Sequence, residues 1–387
     1  MVAFVVRSLH QIIPTSIHST WPSRSHPLPR ILNLPIANML AGRGCFANCN
    51  FCSISAWHKK NGGPRFRFRS PDQVAAEMAY LYHEHGVRIF NFHDDNFFNP
   101  RHQDSISRFE EIKKHLKREK INRIGIQVKA RPDSISQPVV SALKDIGLFR
   151  VFLGVENNAV AGLHALGRGT TRARNYAALD ILEKNDIHTT FNLLMFEPDM
   201  TADDYKDNVD IMHTRSTLPL NFGRVEVYGG TPLEEALRAQ QRLRGTYFGY
   251  TYRIKDSAMQ TAFEIFNRVF TDRNFDPHGM NLMAMQLDYN FHLLKHFYPH
   301  KASLKLRNDV KRCIEELNHN SASLMMAIHD YVTDDKSHST EDISRFTARL
   351  LQARKAYDDN NRPVFTALLH EIERAAIVSP DSPSFNP

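Results

Sequence analysis

Three of the chain's four cysteines, Cys45, Cys49 and Cys52, crowd into the short stretch "GRGCFANCNFCS" (42–53). Their C-x3-C-x2-C spacing brings three soft thiolates to one point, the donor set of zinc or iron-sulfur chemistry. Three is the informative number, because a closed structural zinc site and a closed iron-sulfur cluster each take four ligands. The fourth cysteine, Cys313, lies far away in a helical stretch and reads as a small buried hydrophobe. A histidine such as His58 or His93 would complete a zinc site, although zinc ligands usually come as separated pairs. The other reading is a cube of four irons held at three corners, its fourth iron open to a ligand that is not protein.

The elements that position this loop flank it in sequence. "IANMLAG" (36–42) is apolar and ends in glycine, so the cysteines follow the carboxyl end of a first strand. "SPDQVAAEMAYLYHEHG" (70–86) predicts a helix, with Ser70 as N-cap, Pro71 in the first position, Gln73 to complete a capping box and Gly86 as the stop. A strand at 87–92 then runs into the acidic turn "HDDNFF", and a charged helix follows over about 101–119. The alternation continues through strands 124–130, 149–156, 188–196 and 222–228, separated by helices at 136–146 and 171–184 and by one capped by Thr201 and Asp204. A right-handed series of six such units closes into a full or partial barrel whose polar chemistry belongs at the carboxyl ends of its strands.

After about residue 238 the alternation stops, and helical spacing occupies 255–272, 279–297, 302–318, 321–334 and 341–376, the last interrupted at Pro363. The expected organisation is a lead-in segment (1–34), a barrel (35–237) and a helical C-terminal region (238–387) that could cap a substrate. In "RFRFRS", alternation sets Arg65, Arg67 and Arg69 on one face and Phe66 and Phe68 on the other. That row suits an anionic substrate or an acidic electron donor, and equally an edge strand protected by charge.

The composition, 42% hydrophobic and 24% charged over 387 residues, is that of a soluble globular protein. No apolar run approaches the roughly 18 residues of a membrane helix. Crowded cysteines exclude a disulfide framework and favour a reducing compartment, so a cytoplasmic location is expected. The net charge of +7 serves solubility, and no nucleic-acid partner is expected from it. No Asp or Glu precedes Asp72, and an acid-poor, Arg-bearing start also fits an organellar targeting segment as a minor reading.

Together these residues resemble the radical S-adenosylmethionine (radical SAM) superfamily, whose signature is C-x3-C-x2-C with an aromatic residue before the last cysteine, here Phe51. The resemblance covers roughly residues 35–237 and implies an α/β fold, a partial (β/α)6 radical SAM barrel followed by an α-helical C-terminal region. It implies a 4Fe-4S cluster on Cys45, Cys49 and Cys52, with SAM on the open iron. It places Asp94 or Asp95, in the motif closing the second strand, at the methionine amino group of SAM. It sets Glu156 of "LGVEN" at the ribose or amino-acid part and Arg168 of "LGRGTT" at the carboxylate. Gly229 and Gly230 of "VYGGTPL" match a glycine-rich stretch at the sixth strand's end. Phe196 stands on the adenine-contacting strand, where the usual Gly-x-Pro is replaced by Phe196, Glu197 and Pro198.

The implied reaction is reductive cleavage of SAM to a 5′-deoxyadenosyl radical that abstracts hydrogen from a small-molecule or natural-product intermediate, with electrons from a flavodoxin or ferredoxin. With only Cys313 left over, no auxiliary cluster is expected. The barrel motifs look most like the branch that carries an N-terminal cobalamin-binding domain. Only about 34 residues precede the barrel, and "DPHGMN" has Asn281 where the cobalamin-ligating motif needs glycine. Cobalamin is therefore possible but not supported by this chain alone. The alternatives are a cobalamin-assisted methyltransferase whose cobalamin module is missing or on another chain, less readily an aminocarboxypropyl transferase, and a non-catalytic metal-binding or redox-sensor protein.

Overall fold

A computed structural model describes residues 21–22, 27–62, 64–334 and 337–377. Most of the acid-poor start considered for targeting lies outside the described residues. In chain order, β1 (Arg30–Ile31), β2 (Leu34–Met39) and β3 (Gly42–Gly44) lead to α1 (Ser53–Asn61), β4 (Phe66–Phe68) and α2 (Pro71–His85). Next come β5 (Ile89–Phe92), α3 (His102–Arg118), β6 (Gly125–Ala130), α4 (Gln137–Lys144), β7 (Leu148–Leu153), α5 (Val160–Ala165), α6 (Arg172–Lys184) and β8 (His188–Phe196). After α7 (Ala202–Thr214), β9 (Leu220–Arg224) and α8 (Pro232–Ala239), a hairpin of β10 (Leu243–Thr246) and β11 (Gly249–Tyr252) leads into four long helices. These are α9 (Ser257–Phe275), α10 (Met280–Phe297), α11 (Leu304–Thr333) and α12 (Thr340–Ala376).

The main sheet has the order β1-β2-β5-β6-β7-β8-β9. Its strands from β2 onward are all parallel, as crossover helices require, and it curls into the expected half-barrel. One face of the strands, including Phe90, Ile126, Val128, Val151 and Leu193, joins the outer helices in a large core. The other face carries a polar row read straight across five strands by register: Asn38, Asn91, Gln127, Arg150 and His188. Such a row gives the barrel interior a polar strip, whose Arg150 and His188 end packs against Asp288 and Tyr289 of α10.

A second core closes the amino-terminal end of the barrel, where Leu34, Ile89 and Phe149 meet Leu287, Phe291 and Leu294 of α10. Asp288 of α10 accepts from His188 Nδ1 at 2.5 Å and pins the helix to β8. Burial pushes the His188 imidazole down to about 4, while the imidazoles of His292 and His188 hold the Asp288 carboxyl far below its usual range against its own burial. A fully buried Arg273, paired with Asp358 and bonded to Ser321, ties α9 to α11 and α12.

Several boundaries differ from the sequence expectation for physical reasons. The helices expected at 302–318 and 321–334 are one, α11, because the polar run between them serves neighbours rather than a turn. Asn318 donates to the Ser216 and Leu218 carbonyls at 2.7 and 2.9 Å, and Asn320 and Ser321 receive Arg273. The last helix continues through Pro363. Ser70 caps α2 in position but without the expected box, whereas Thr201 and Asp204 form theirs. The sixth barrel strand ends at Arg224, so "VEVY" is loop.

Candidate functional site

The cysteine loop leaves β3 and enters α1, with Cys52 as the N-cap in extended backbone (φ −86°, ψ 118°). Gly44 turns the chain at φ +86°, where a Cβ would strike the Arg65 carbonyl and approach the His58 ring. The loop is clamped on several sides. Arg65 donates to the Ala47 carbonyl at 2.5 Å and to Asn48 at 2.6 Å. The backbone and side-chain amides of Asn50 donate to the Leu166 and Ala165 carbonyls at 2.9 and 3.0 Å. The Leu233 amide donates to the Asn50 carbonyl at 3.1 Å.

Asp94 is fully buried; its Oδ2 accepts from the Ala41 amide at 3.0 Å, its Oδ1 has no partner, and burial pushes its carboxyl up to about 6. Asp95 accepts from the Gly44 amide at 2.8 Å. Both carboxylates thus brace the approach to the cysteine loop from the end of β5.

Cys49, only 5% exposed, faces two guanidiniums: Arg168 at 3.1 Å and Arg131 at 3.6 Å. Arg131 is held by Asp133 through two bonds of 2.9 Å and donates to the Arg168 carbonyl at 2.7 Å. Arg168 also donates to the Gly154 carbonyl, while its Nε and the nearby Thr170 hydroxyl are buried without partners. Burial raises the Glu156 carboxyl, opposed by the charges of Arg168 and then Arg131. Glu156 adopts φ +65°, an uncommon conformation for a residue with a side chain, and its carbonyl accepts from the Leu194 amide.

That strained position is over-determined by buried amides. Asn157 donates to the Leu194 carbonyl at 3.1 Å, Asn175 to the Val155 and Asn157 carbonyls, and Asn208 accepts from the Asn158 amide at 2.7 Å. Gly154 leaves the space, since a Cβ there would lie 3.0 Å from Glu156 Oε1 and 3.2 Å from the Arg168 guanidinium.

The three sulfurs do not all lie within 4.8 Å of one another. Among the described residues, the one group of three or more His, Cys, Asp or Glu ligand atoms all within 4.8 Å of one another is His188, Asp288 and His292. His93 is instead bonded to Asn38 and Asn91 inside the barrel. A donor set spread this way, with positive charge at Cys49 and unsatisfied polar groups beside it, fits an anionic multi-iron cluster better than zinc. In the metal-free chain burial raises the Cys45 thiol, so loading iron there releases a proton.

Phe51 lines a cavity of about 370 Å³ at the carboxyl ends of β8 and β9, with Leu194, Arg224, Glu226, Tyr228 and Phe263. Phe196 does not reach it: its ring is fully buried against Tyr205, Phe263 and Phe266, on the far side of a register shift in β8. Leu194 and Asn192 present the strand to the cavity instead. Gly229 packs under the Tyr247 ring, and the Gly230 amide is spent on Glu234 at 2.7 Å, so both serve the turn into α8. Arg131 escaped sequence reasoning; the signal was its place directly after β6 in "KARPDS", the third strand end.

Glu197, beside Phe196, is buried and its carboxyl is pushed up to about 7 by burial, against the hydrogen bond it accepts from the Asp199 amide. A raised folded-state value means that ionising Glu197 costs stability as pH rises through roughly 4.5 to 7. Glu197→Gln should therefore stabilise the protein at pH 8, by up to about 3 kcal/mol, and much less at pH 5, as read by thermal melting at both pH values. Equal shifts at both pH values would contradict the burial argument.

Residues 39–211 match the family model of the radical SAM superfamily. An uncharacterised methyltransferase of Pyrococcus horikoshii is 26% identical over 202 residues, covering 52% of this chain and 42% of that protein. An anaerobic magnesium-protoporphyrin IX monomethyl ester cyclase of Synechocystis is 29% identical over 147 residues, covering 38% of this chain and 27% of that protein. The chain thus spans less than half the length of these curated relatives. Among solved structures, the cobalamin-dependent SAM radical enzyme OxsB is similar in fold, with a TM-score of 0.59 at 16% identity over 88% of this chain and 58% of that one. No helix of the described residues is long and apolar enough to cross a membrane.

Proposed function

Since this chain carries a radical SAM domain, we propose that it is a radical SAM enzyme that holds a 4Fe-4S cluster on Cys45, Cys49 and Cys52 and acts on a small molecule in the barrel. The observation that carries this reading is the arrangement at Cys49: three cysteines on one clamped loop, with Arg168 and Arg131 gathered at the middle one and Glu156 in the field of both. With its cofactors bound, such a centre would supply the single electron that reductive SAM cleavage needs. The protein's own groups do the rest. Glu156 receives the positive amino group or the ribose hydroxyls, and Arg168, its Nε still unsatisfied, offers a donor to the carboxylate. Phe51, Leu194 and Tyr228 exclude water from the cavity beside the cluster. Asp94 and Asp95 keep the loop in place rather than reaching for SAM.

The electron donor in this reading is a small acidic redox protein of the flavodoxin or ferredoxin kind. A second reading, cobalamin-assisted methyl transfer, rests on the methyltransferase among the relatives and places cobalamin on a separate module. The segment "DPHGMN" does not furnish that module: the His278 amide donates to Asp276 at 2.7 Å in the turn before α10, and Asn281 is buried. Anaerobic reconstitution tests the cluster. About four irons and four sulfides per chain, with an electron paramagnetic resonance signal of the reduced protein that shifts on adding SAM, support the proposal. One zinc per chain and no colour would refute it.

A further inference from the structure

Positive charge without an acidic partner runs from the surface into the barrel. On the β3–β4 hairpin Arg43 stands directly opposite Arg67, and both are exposed. Like charges in opposed cross-strand positions repel, so the pair costs stability unless something negative lies between. The neighbouring arginines are committed elsewhere, Arg65 to the cysteine loop and Arg69 to Glu77 at 2.5 Å. Arg43 and Arg67 line a cavity of about 660 Å³ together with Asn38, Met39, Phe68 and His93. Its acidic member, Glu77, is the one already neutralised by Arg69.

Asn38 and His93 belong also to the polar face inside the barrel, where His93 lies in the field of Lys129 and Arg150. Arg150 donates to the neutral Gln127 amide at 3.1 Å, and its Nε is buried without an acceptor. Among the described residues none of Arg43, Arg67, Lys129 and Arg150 has a carboxylate partner. A cation inside the barrel without a counter-charge is costly, and Lys129 and Arg150 lying beyond the exposed pair Arg43 and Arg67 have a simple physical use. A concave cavity walled by Met39, Leu40 and Phe68, sharing Asn38 and His93 with the barrel face that carries Lys129 and Arg150, suits a small amphipathic anion rather than a docked acidic protein.

We propose that the substrate carries a carboxylate or phosphate that enters between Arg43 and Arg67 and is received inside the barrel by Lys129 and Arg150. This rests on the radical SAM reading for the word substrate, and on the charge geometry for the anion.

The test is calorimetric titration of the reconstituted chain with inorganic phosphate and, separately, with glutarate, for wild type, Arg43→Ser/Arg67→Ser and Lys129→Gln. Wild type should bind at least one of the two anions, which tells phosphate from carboxylate, and each variant should weaken that binding by about tenfold or more. Arg43→Ser/Arg67→Ser should also melt no lower than wild type without anion, because a repulsion has been removed. Binding of neither anion by wild type, or equal binding by the variants, overturns the proposal. So does a variant that loses only the binding of an acidic flavodoxin. Dithionite-driven SAM cleavage by the same wild-type preparation separates the two claims. Cleavage without anion binding defeats this inference alone, and anion binding without cleavage defeats the radical SAM reading.

Discussion

Cys49→Ala leaves a folded but colourless protein, with iron near zero per chain and SAM cleavage reduced by about a thousandfold or more. The size of the effect follows from the count of ligands: in the proposed site three thiolates are the whole protein donor set, and Cys313 is buried in α11, far along the chain, where it cannot substitute. Cys49 is also the sulfur on which Arg168 and Arg131 converge, so its loss removes one acceptor from each guanidinium. In the metal-free state the substitution deletes one small side chain and should cost only about 1 kcal/mol. Comparing metal-free melting of wild type and variant, alongside iron content, separates loss of the cluster from loss of the fold. A Cys49→Ala protein that retains four irons would show that the ligand set has been misassigned.

Glu156→Gln keeps the brown cluster and raises the KM for SAM by about 10- to 100-fold, the loss of one charge-assisted hydrogen bond of roughly 1.5–3 kcal/mol. Glutamine preserves the shape and the φ +65° backbone, so the amide lattice of Asn157, Asn158 and Asn175 stays intact. Glu156→Gly is the companion variant. It relieves the backbone strain, worth about 1 kcal/mol of stability, while removing the same carboxylate. Under a purely structural role for Glu156, the glutamine variant would melt lower and bind SAM as well as wild type. Under the proposed role both variants lose SAM affinity, and the glycine variant does so with unchanged or higher stability.

The fold class was legible because each crossover unit declares itself locally, by an apolar run, a cap and a stop. The cysteine loop was legible because thiolates carry their chemistry in their spacing. What escaped depended on contacts between distant segments. The merger of two expected helices into α11 turns on Asn318 reaching the chain before β9, which no local pattern reveals. Phe196 was placed toward a ligand by strand position, but a register shift in β8 turns the ring into the core. Asp94 and Asp95 read as ligand groups from their place in the motif closing the second strand, and in three dimensions they spend an oxygen each on the Ala41 and Gly44 amides before the cysteine loop. Arg131 went unnoticed because a lone arginine after a strand means little until Cys49 is seen beside it. The row "RFRFRS" divides its arginines among three tasks, which alternation alone could not foretell.

The most direct test of the central claim is formation of 5′-deoxyadenosine by the anaerobically reconstituted chain, supplied with dithionite and SAM and followed by chromatography. The account predicts 5′-deoxyadenosine and methionine in equal amounts, both absent without dithionite and both lost in Cys49→Ala. A fully loaded 4Fe-4S protein that leaves SAM intact under these conditions would contradict it.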